Sequence, residues 1–157
     1  MLSHINDKNQ PSMVDIGGKS ATRRTAHARA IVELPGAVAA AISGGELTSP
    51  KGPVFQTAIV AGIMAAKKTS ELIPMCHPIG LDDCRIEITP GAGGMLTIDC
   101  RCAVTHKTGV EMEALTGATI AALTIYDMCK GMSHGIVVRD VRLIEKRGGK
   151  SDYVAET

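Results

Sequence analysis

CRIEITPGAGGMLTIDCRCAV, residues 84–104, decides how this chain folds. Cys84, Ile86 and Ile88 alternate with Arg85, Glu87 and Thr89, so one face of the run is apolar and the other polar. That period of two is the mark of a half-buried strand. Leu96, Ile98, Cys100, Cys102 and Val104 repeat the pattern after Pro90–Gly94, a run of turn-forming residues. The two runs predict a β-hairpin with one face on the core.

Thr22 to Leu34 alternates in the same way. Ala26, Ala28, Ala30, Val32 and Leu34 share one face, and His27, Arg29 and Glu33 the other, which predicts a further strand. Pro35 opens a short helix over PGAVAAAI that Gly44-Gly45 ends. Glu46 to Pro50 reads as a loop. Val54, Ala58, Ala61 and Ala65 fall at helical spacing and predict a helix from about Val54 to Leu72. Pro74 and Pro78 bracket an irregular Met75-Cys76-His77. A long helix is predicted over about Gly109–Lys130, from the stripe Ala114, Ala118, Ala121, Ala122, Ile125 and Cys129. A last strand follows with Val137, Val141 and Leu143 on one face. Without the short helix the order is βαββαβ. This is an α+β class, a ferredoxin-like antiparallel sheet with two long helices packed on one face. Residues 1–12 read as a flexible N-terminal arm. Residues 13–157 read as a single catalytic domain, with a polar tail from about 147.

Composition narrows the function. The 157 residues suit one domain. A net charge of +1 argues against bulk electrostatic capture of nucleic acid or membrane. The apolar runs are too short for a membrane span, and MLSHINDKNQ at the start holds no secretory signal. Five cysteines, an odd number in a chain with no export signal, point to free thiols in a reducing, cytoplasmic setting. Cys84, Cys100, Cys102 and Cys129 read as core thiols, and no metal-ligand spacing is present. The only aromatics are Phe55, Tyr126 and Tyr153. The core must then be aliphatic, built from Ala, Ile, Val, Leu and eight Met. An RNA-reading sheet would need aromatics on its strands to stack bases, and the predicted strands hold none.

Several residues could carry chemistry. GGKS occurs twice, at Gly17–Ser20 and Gly148–Ser151. Neither copy is a P-loop, because Met13 and Ile144 stand where that motif needs glycine. They are surface loops, or loops whose N–H groups and lysines close on an anion. Asp127 and Lys130 are neighbours on one helix face, an ordinary ion pair or a proton-moving one. Glu113 shares roughly that face but lies about 21 Å away along the axis. One small ligand cannot touch both unless a second subunit supplies one of them. Lys19, Arg23, Arg24, Lys51, Lys146, Arg147 and Lys150 lie in irregular regions. Together they suggest a place for a polyanionic small molecule such as a nucleoside triphosphate.

Longer segments add a resemblance. Met13-Val14-Asp15, Lys51-Gly52, AGIMAAKKT (61–69), LIPMCHP (72–78), KTGVEMEAL (107–115), LTIYDMCK (123–130) and GGKS (148–151) resemble the MoaC family, the cyclic pyranopterin monophosphate synthases of molybdenum cofactor biosynthesis. The likeness runs from about Met13 to Ser151. It implies a lyase that converts 3',8-cyclo-7,8-dihydroguanosine triphosphate to cyclic pyranopterin monophosphate and pyrophosphate. A radical SAM cyclase acting on GTP would supply the substrate. By motif matching it implies Asp127, Lys130 and Lys51 as catalytic residues. It implies Met75, Cys76, His77, Met112 and Glu113 as substrate-binding, with Lys19, Arg24, Lys67, Lys146 and Lys150 near the phosphates or ring. It implies no cofactor, with Mg²⁺ as an optional companion, and a homo-hexamer, a trimer of dimers with sites at the dimer interface. Pro53 stands where the family reads Asp after Lys-Gly, and Asp152 where it reads Gly. The rival expectation is a non-catalytic sensor of a phosphorylated ligand on the same fold. A sensor has no need of the Asp127–Lys130 pair.

Overall fold

The computed structural model describes residues 4–156, so Met1–Ser3 of the arm and Thr157 of the tail lie outside the described residues. In chain order the elements are β1 (Thr22–Glu33), α1 (Gly36–Ala39), β2 (Ile42–Ser43), β3 (Glu46–Ser49), β4 (Gly52–Pro53), α2 (Val54–Lys67) and α3 (Thr69–Leu72). β5 (Asp83–Pro90), β6 (Met95–His106), α4 (Glu111–Cys129), β7 (Val137–Arg147) and β8 (Tyr153–Val154) complete the chain. The hairpin read from residues 84–104 is β5–β6, with Cys84 opposite Cys102 and Ile86 opposite Cys100. β6 and β7 both pair antiparallel with β1, giving the sheet order β5-β6-β1-β7-β8. The four long strands thus follow the ferredoxin-like order. α2 and α4 lie on the face that carries Ala28, Ala30, Val32, Ile98 and Cys100, all fully buried.

The helices meet at two glycines. A Cβ on Gly62 of α2 would stand 2.7 Å from the Gly117 carbonyl oxygen of α4. A Cβ on Gly117 would stand 2.7 Å from Cys100 Sγ. Close approach of backbones excludes any side chain there. Small residues along α4 (Ala114, Ala118, Ala121 and Ala122, all fully buried) continue the contact. The core is aliphatic as expected, with one difference: among the described methionines only Met128 is buried in it, while Met13, Met64 and Met132 are exposed. Ala-rich helices packed this closely leave little room for long thioether chains.

Four local readings are corrected. Glu46–Pro50 is not a loop: β2, β3 and β4 form a small three-stranded sheet, turning at Gly44-Gly45, both at positive φ. The helix expected to run to Leu72 breaks at Lys68 (φ −108°, ψ 13°), where the Thr69 hydroxyl donates to the Ala66 carbonyl at 2.9 Å. Val137 is 42 % exposed, and Val138 takes its place against the core with Val141 and Leu143. The cause is an extra residue, Arg139, between the Val32–Val138 and Ile31–Asp140 pairs; a bulge inverts the face of everything beyond it. The polar tail carries β8, which puts Tyr153 on the sheet edge. The described part of the arm, from His4, folds on itself through an Ile5–Pro11 bridge. Among the described residues no helix is long and apolar enough to cross a membrane.

Gly62→Ala is expected to lower the unfolding free energy by about 1–3 kcal/mol, because the new methyl would press on Ile86 Cδ1 and stand 2.7 Å from the Gly117 carbonyl oxygen, and only the side chain can swing aside. Gly131→Ala, with nothing within 4 Å of its Cβ, serves as the near-neutral control. Urea unfolding of both variants checks this.

Candidate active site

α4 carries chemistry at both ends. Its N-terminal turn holds Glu111 and Glu113, which suit the positive end of the helix dipole. Glu113 is only 3 % exposed. Burial, reinforced by the charge of Glu111, pushes its carboxyl up to about 7. Glu113 faces a cavity of about 440 Å³ lined also by Met75, Cys76, His77, Met112 and Lys19. Burial and Glu113 together raise the Cys76 thiol. His77 Nε2 donates to the Val14 carbonyl at 2.7 Å, which ties the Pro74–Pro78 loop to the chain before β1. His4, Thr108 and Gly109 also line this cavity; Thr108 and Gly109 fall inside the KTGVEMEAL segment, and no motif in the sequence marks His4.

A second cavity, of about 220 Å³, opens beside the first, sharing Lys19, Thr108, Gly109 and Glu111. Arg24, Lys146, Arg147 and Lys150 line it. Both GGKS loops therefore converge here, one bringing Lys19 and the other Lys150. Each loop is pinned. The Lys107 ammonium donates to the Gly17 carbonyl at 2.8 Å, and the Thr22 hydroxyl donates to the Gly148 carbonyl at 2.7 Å. Gly148 sits at φ +82° with Arg23 backbone against the place of a side chain, so only glycine fits. Asp152 accepts from the Gly148 N–H at 3.1 Å and closes the turn. Inside the cavity the cations outnumber the acids, and Glu111 is bound to Lys146 at 3.1 Å.

The C-terminal end of α4 holds Asp127. Lys130 Nζ lies 2.7 Å from its Oδ1 and Lys51 Nζ 2.8 Å from its Oδ2. Lys51 Nζ also donates to the Asp127 carbonyl at 3.1 Å. Lys51 reaches this point because Pro50-Lys51 is the tip of the β3–β4 hairpin, whose Gly52 adopts φ +111°. Lys51 N–H donates to Ser49 Oγ at 3.1 Å, which fixes the tip. Hydrogen bonds from Lys130 first, then Lys51, hold the Asp127 carboxyl down at about 2. The Lys130 ammonium is correspondingly raised. At neutral pH the cluster is one carboxylate between two ammonium groups, all about half exposed. Pro53 leaves the start of α2 without a capping side chain. Glu46 replaces it, accepting from the Phe55 and Gln56 N–H groups at 2.7 and 3.1 Å.

The structure therefore gathers the sequence-predicted residues into two sets. Met75, Cys76, His77, Met112, Glu113, Lys19, Arg24, Lys146 and Lys150 line one composite cleft. Asp127, Lys130 and Lys51 form one cluster. The fourteen-position separation of Glu113 and Asp127 along α4 holds the sets about 21 Å apart along the axis. Lys67 lines neither cavity; its charge instead acts on Cys84.

Known proteins resemble this chain over nearly its whole length. A relative from Xanthomonas oryzae pv. oryzae, a cyclic pyranopterin monophosphate synthase, is 51 % identical over 98 % of this chain and 93 % of its own length. Molybdenum cofactor biosynthesis protein 1 of Dictyostelium discoideum is 50 % identical over 96 % of this chain and 26 % of its own. A molybdenum cofactor biosynthesis bifunctional protein of Synechocystis is 50 % identical over 97 % of this chain and 45 % of its own. The MoaC family model matches residues 13–149, a span that takes in both α4 ends, the Pro-framed loop and the Lys51 hairpin, and the chain belongs to the MoaC family.

Proposed function

We propose that this chain is a lyase of molybdenum cofactor biosynthesis, a cyclic pyranopterin monophosphate synthase that converts 3',8-cyclo-7,8-dihydroguanosine 5'-triphosphate to cyclic pyranopterin monophosphate with release of pyrophosphate. The observation that carries this reading is the composite cleft. One part is lined by Met75, Cys76, His77, Met112 and Glu113, and the part beside it by five cations. A ring system fits the first part and a triphosphate the second. Backbone N–H groups of pinned glycine loops and lysine ammonium groups stabilise charge that builds on a departing pyrophosphate. Fixed loops also hold a large ligand near its reacting geometry.

Proton transfer divides between the two ends of α4. Asp127, held ionised by its lysines, serves as the acceptor, and Lys130 and Lys51 as donors. Glu113, near 7, exchanges a proton close to neutral pH. The reading needs no resident cofactor, with Mg²⁺ an optional companion of the triphosphate. The two sets combine when a second copy brings its Asp127 cluster to this cleft. This favours a homo-hexamer, a trimer of dimers with sites at the dimer interface. Val60 and Met64 on α2 and Leu123 on α4, each at least half exposed, supply apolar area for such contacts. A radical SAM cyclase acting on GTP would deliver the substrate in the cytoplasm.

A single-turnover assay tests the function. The purified chain, mixed with the cyclised GTP intermediate, is expected to yield pyrophosphate and cyclic pyranopterin monophosphate. Asp127→Ala, folded by circular dichroism, should lose about 10²–10⁴-fold in rate. Binding without pyrophosphate release by the native chain would instead favour a sensor. Mixing inactive Asp127→Ala with inactive Glu113→Gln, after subunit exchange, should restore about one quarter of native activity if each site draws on two chains. No recovery would place both residues in one chain's site. Glu113 also predicts a stability profile. Its carboxyl is raised from the ordinary 4.5 to about 7 in the fold, so the folded state holds the extra proton between those values. Stability should fall as pH rises from about 4.5 to about 7, and Glu113→Gln should flatten that fall in urea titrations at a series of pH values.

A further inference from the structure

The sulfur atoms of Cys84, Cys100 and Cys102 all lie within 4.8 Å of one another. Cys102 Sγ is 3.7 Å from Cys84 Sγ and 4.0 Å from Cys100 Sγ. The strands produce this arrangement. Cys84 and Cys102 are direct partners across β5–β6, and Cys100 is the next residue of β6 on the same face. Gly117 of α4 covers Cys100 Sγ from above. The cluster lies apart from the Asp127 cluster and lines neither part of the cleft.

We propose that Cys84, Cys100 and Cys102 form a three-thiolate site for a soft d10 cation of the Cu(I) class, bridging β5 and β6 beneath α4. An ion bound to three sulfurs at about 2.3 Å in a plane sets them about 4.0 Å apart. Two of the present spacings, 3.7 and 4.0 Å, lie close to that and the third is within 4.8 Å, so no change of strand register is needed. Soft thiolates select such ions over Mg²⁺ or Ca²⁺. Among the described residues no fourth His, Cys, Asp or Glu joins the group, so three-coordinate Cu(I) fits better than four-coordinate Zn(II). Cys84 is partly exposed and gives the ion its way in, while Cys100 and Cys102 are buried behind it. On binding, the three thiols release three protons to solvent, and the resulting Cu(I)–thiolate complex carries a net charge of 2−. Lys67, whose charge already favours the Cys84 thiolate, offsets part of it.

Reduced protein titrated anaerobically with Cu(I) held by bicinchoninate tests the site, with Zn(II) in parallel. The expected result is one Cu(I) withdrawn per chain, with a thiolate-to-copper band in the ultraviolet. Cys84 should then resist iodoacetamide while Cys76, also partly exposed, still reacts. Cys84→Val and Cys102→Ala should each lose the copper and the band, and Cys129→Ala should keep both. If either variant fails to fold, the labelling pattern of the native chain decides. Copper left on the chelator, a band that survives in Cys84→Val, or unchanged Cys84 labelling overturns the proposal. Zn(II) retained at these thiols while Cu(I) stays on the chelator overturns the three-coordinate assignment.

Discussion

The close crossing of α2 and α4 at Gly62 and Gly117 sets the position of everything else. With no side chain at either position, the Gly117 carbonyl packs against α2 and its Cα lies over Cys100 of the sheet. α4 therefore sits at one depth and one rotation. Its first turn is fixed beside the Pro74–Pro78 loop and the GGKS loops, and its last turn beside the β3–β4 hairpin. A helix free to slide would carry Glu113 out of its cavity and Asp127 away from Lys51.

The two ends of α4 then acquire opposite electrostatic character from their surroundings. Glu113 is enclosed, with an acidic neighbour, and its carboxyl rises. Asp127 is open, with two ammonium groups on its oxygens, and its carboxyl falls. Two carboxylates on one helix are separated in acidity by burial and partners alone. The loops around them are stiff for identifiable reasons: Gly52 and Gly148 occupy positive φ, and Ser49, Asp152 and Lys107 hold their backbones.

Much of this was legible in the residues. Alternation in Thr22–Leu34 and residues 84–104, and the small-residue stripe of residues 109–130, predicted β1, β5, β6 and α4, four of the six long elements that build the sheet and its cover. The paired GGKS loops, the Pro-framed Met75-Cys76-His77 and the Asp127–Lys130 pair were visible as motifs. The hairpin carrying Lys51 was not, because β2, β3 and β4 are too short for a period to register. Val137 was misplaced because a bulge has no signature in alternation. The Glu46 cap on α2 was hidden because its partners lie nine and ten residues away in the chain.

Periodicity and composition are local properties, and they were enough to specify the α+β class, the aliphatic core and the residue types available for chemistry. Which of those residues meet was settled by long-range packing. It brought Lys19 and Lys150, 131 positions apart, to one cavity, and Lys51 to Asp127 across 76 positions. It also set the acidities of Glu113 and Asp127, since burial and ion pairing depend on what long-range packing places around a group, and no spacing along the chain encodes that.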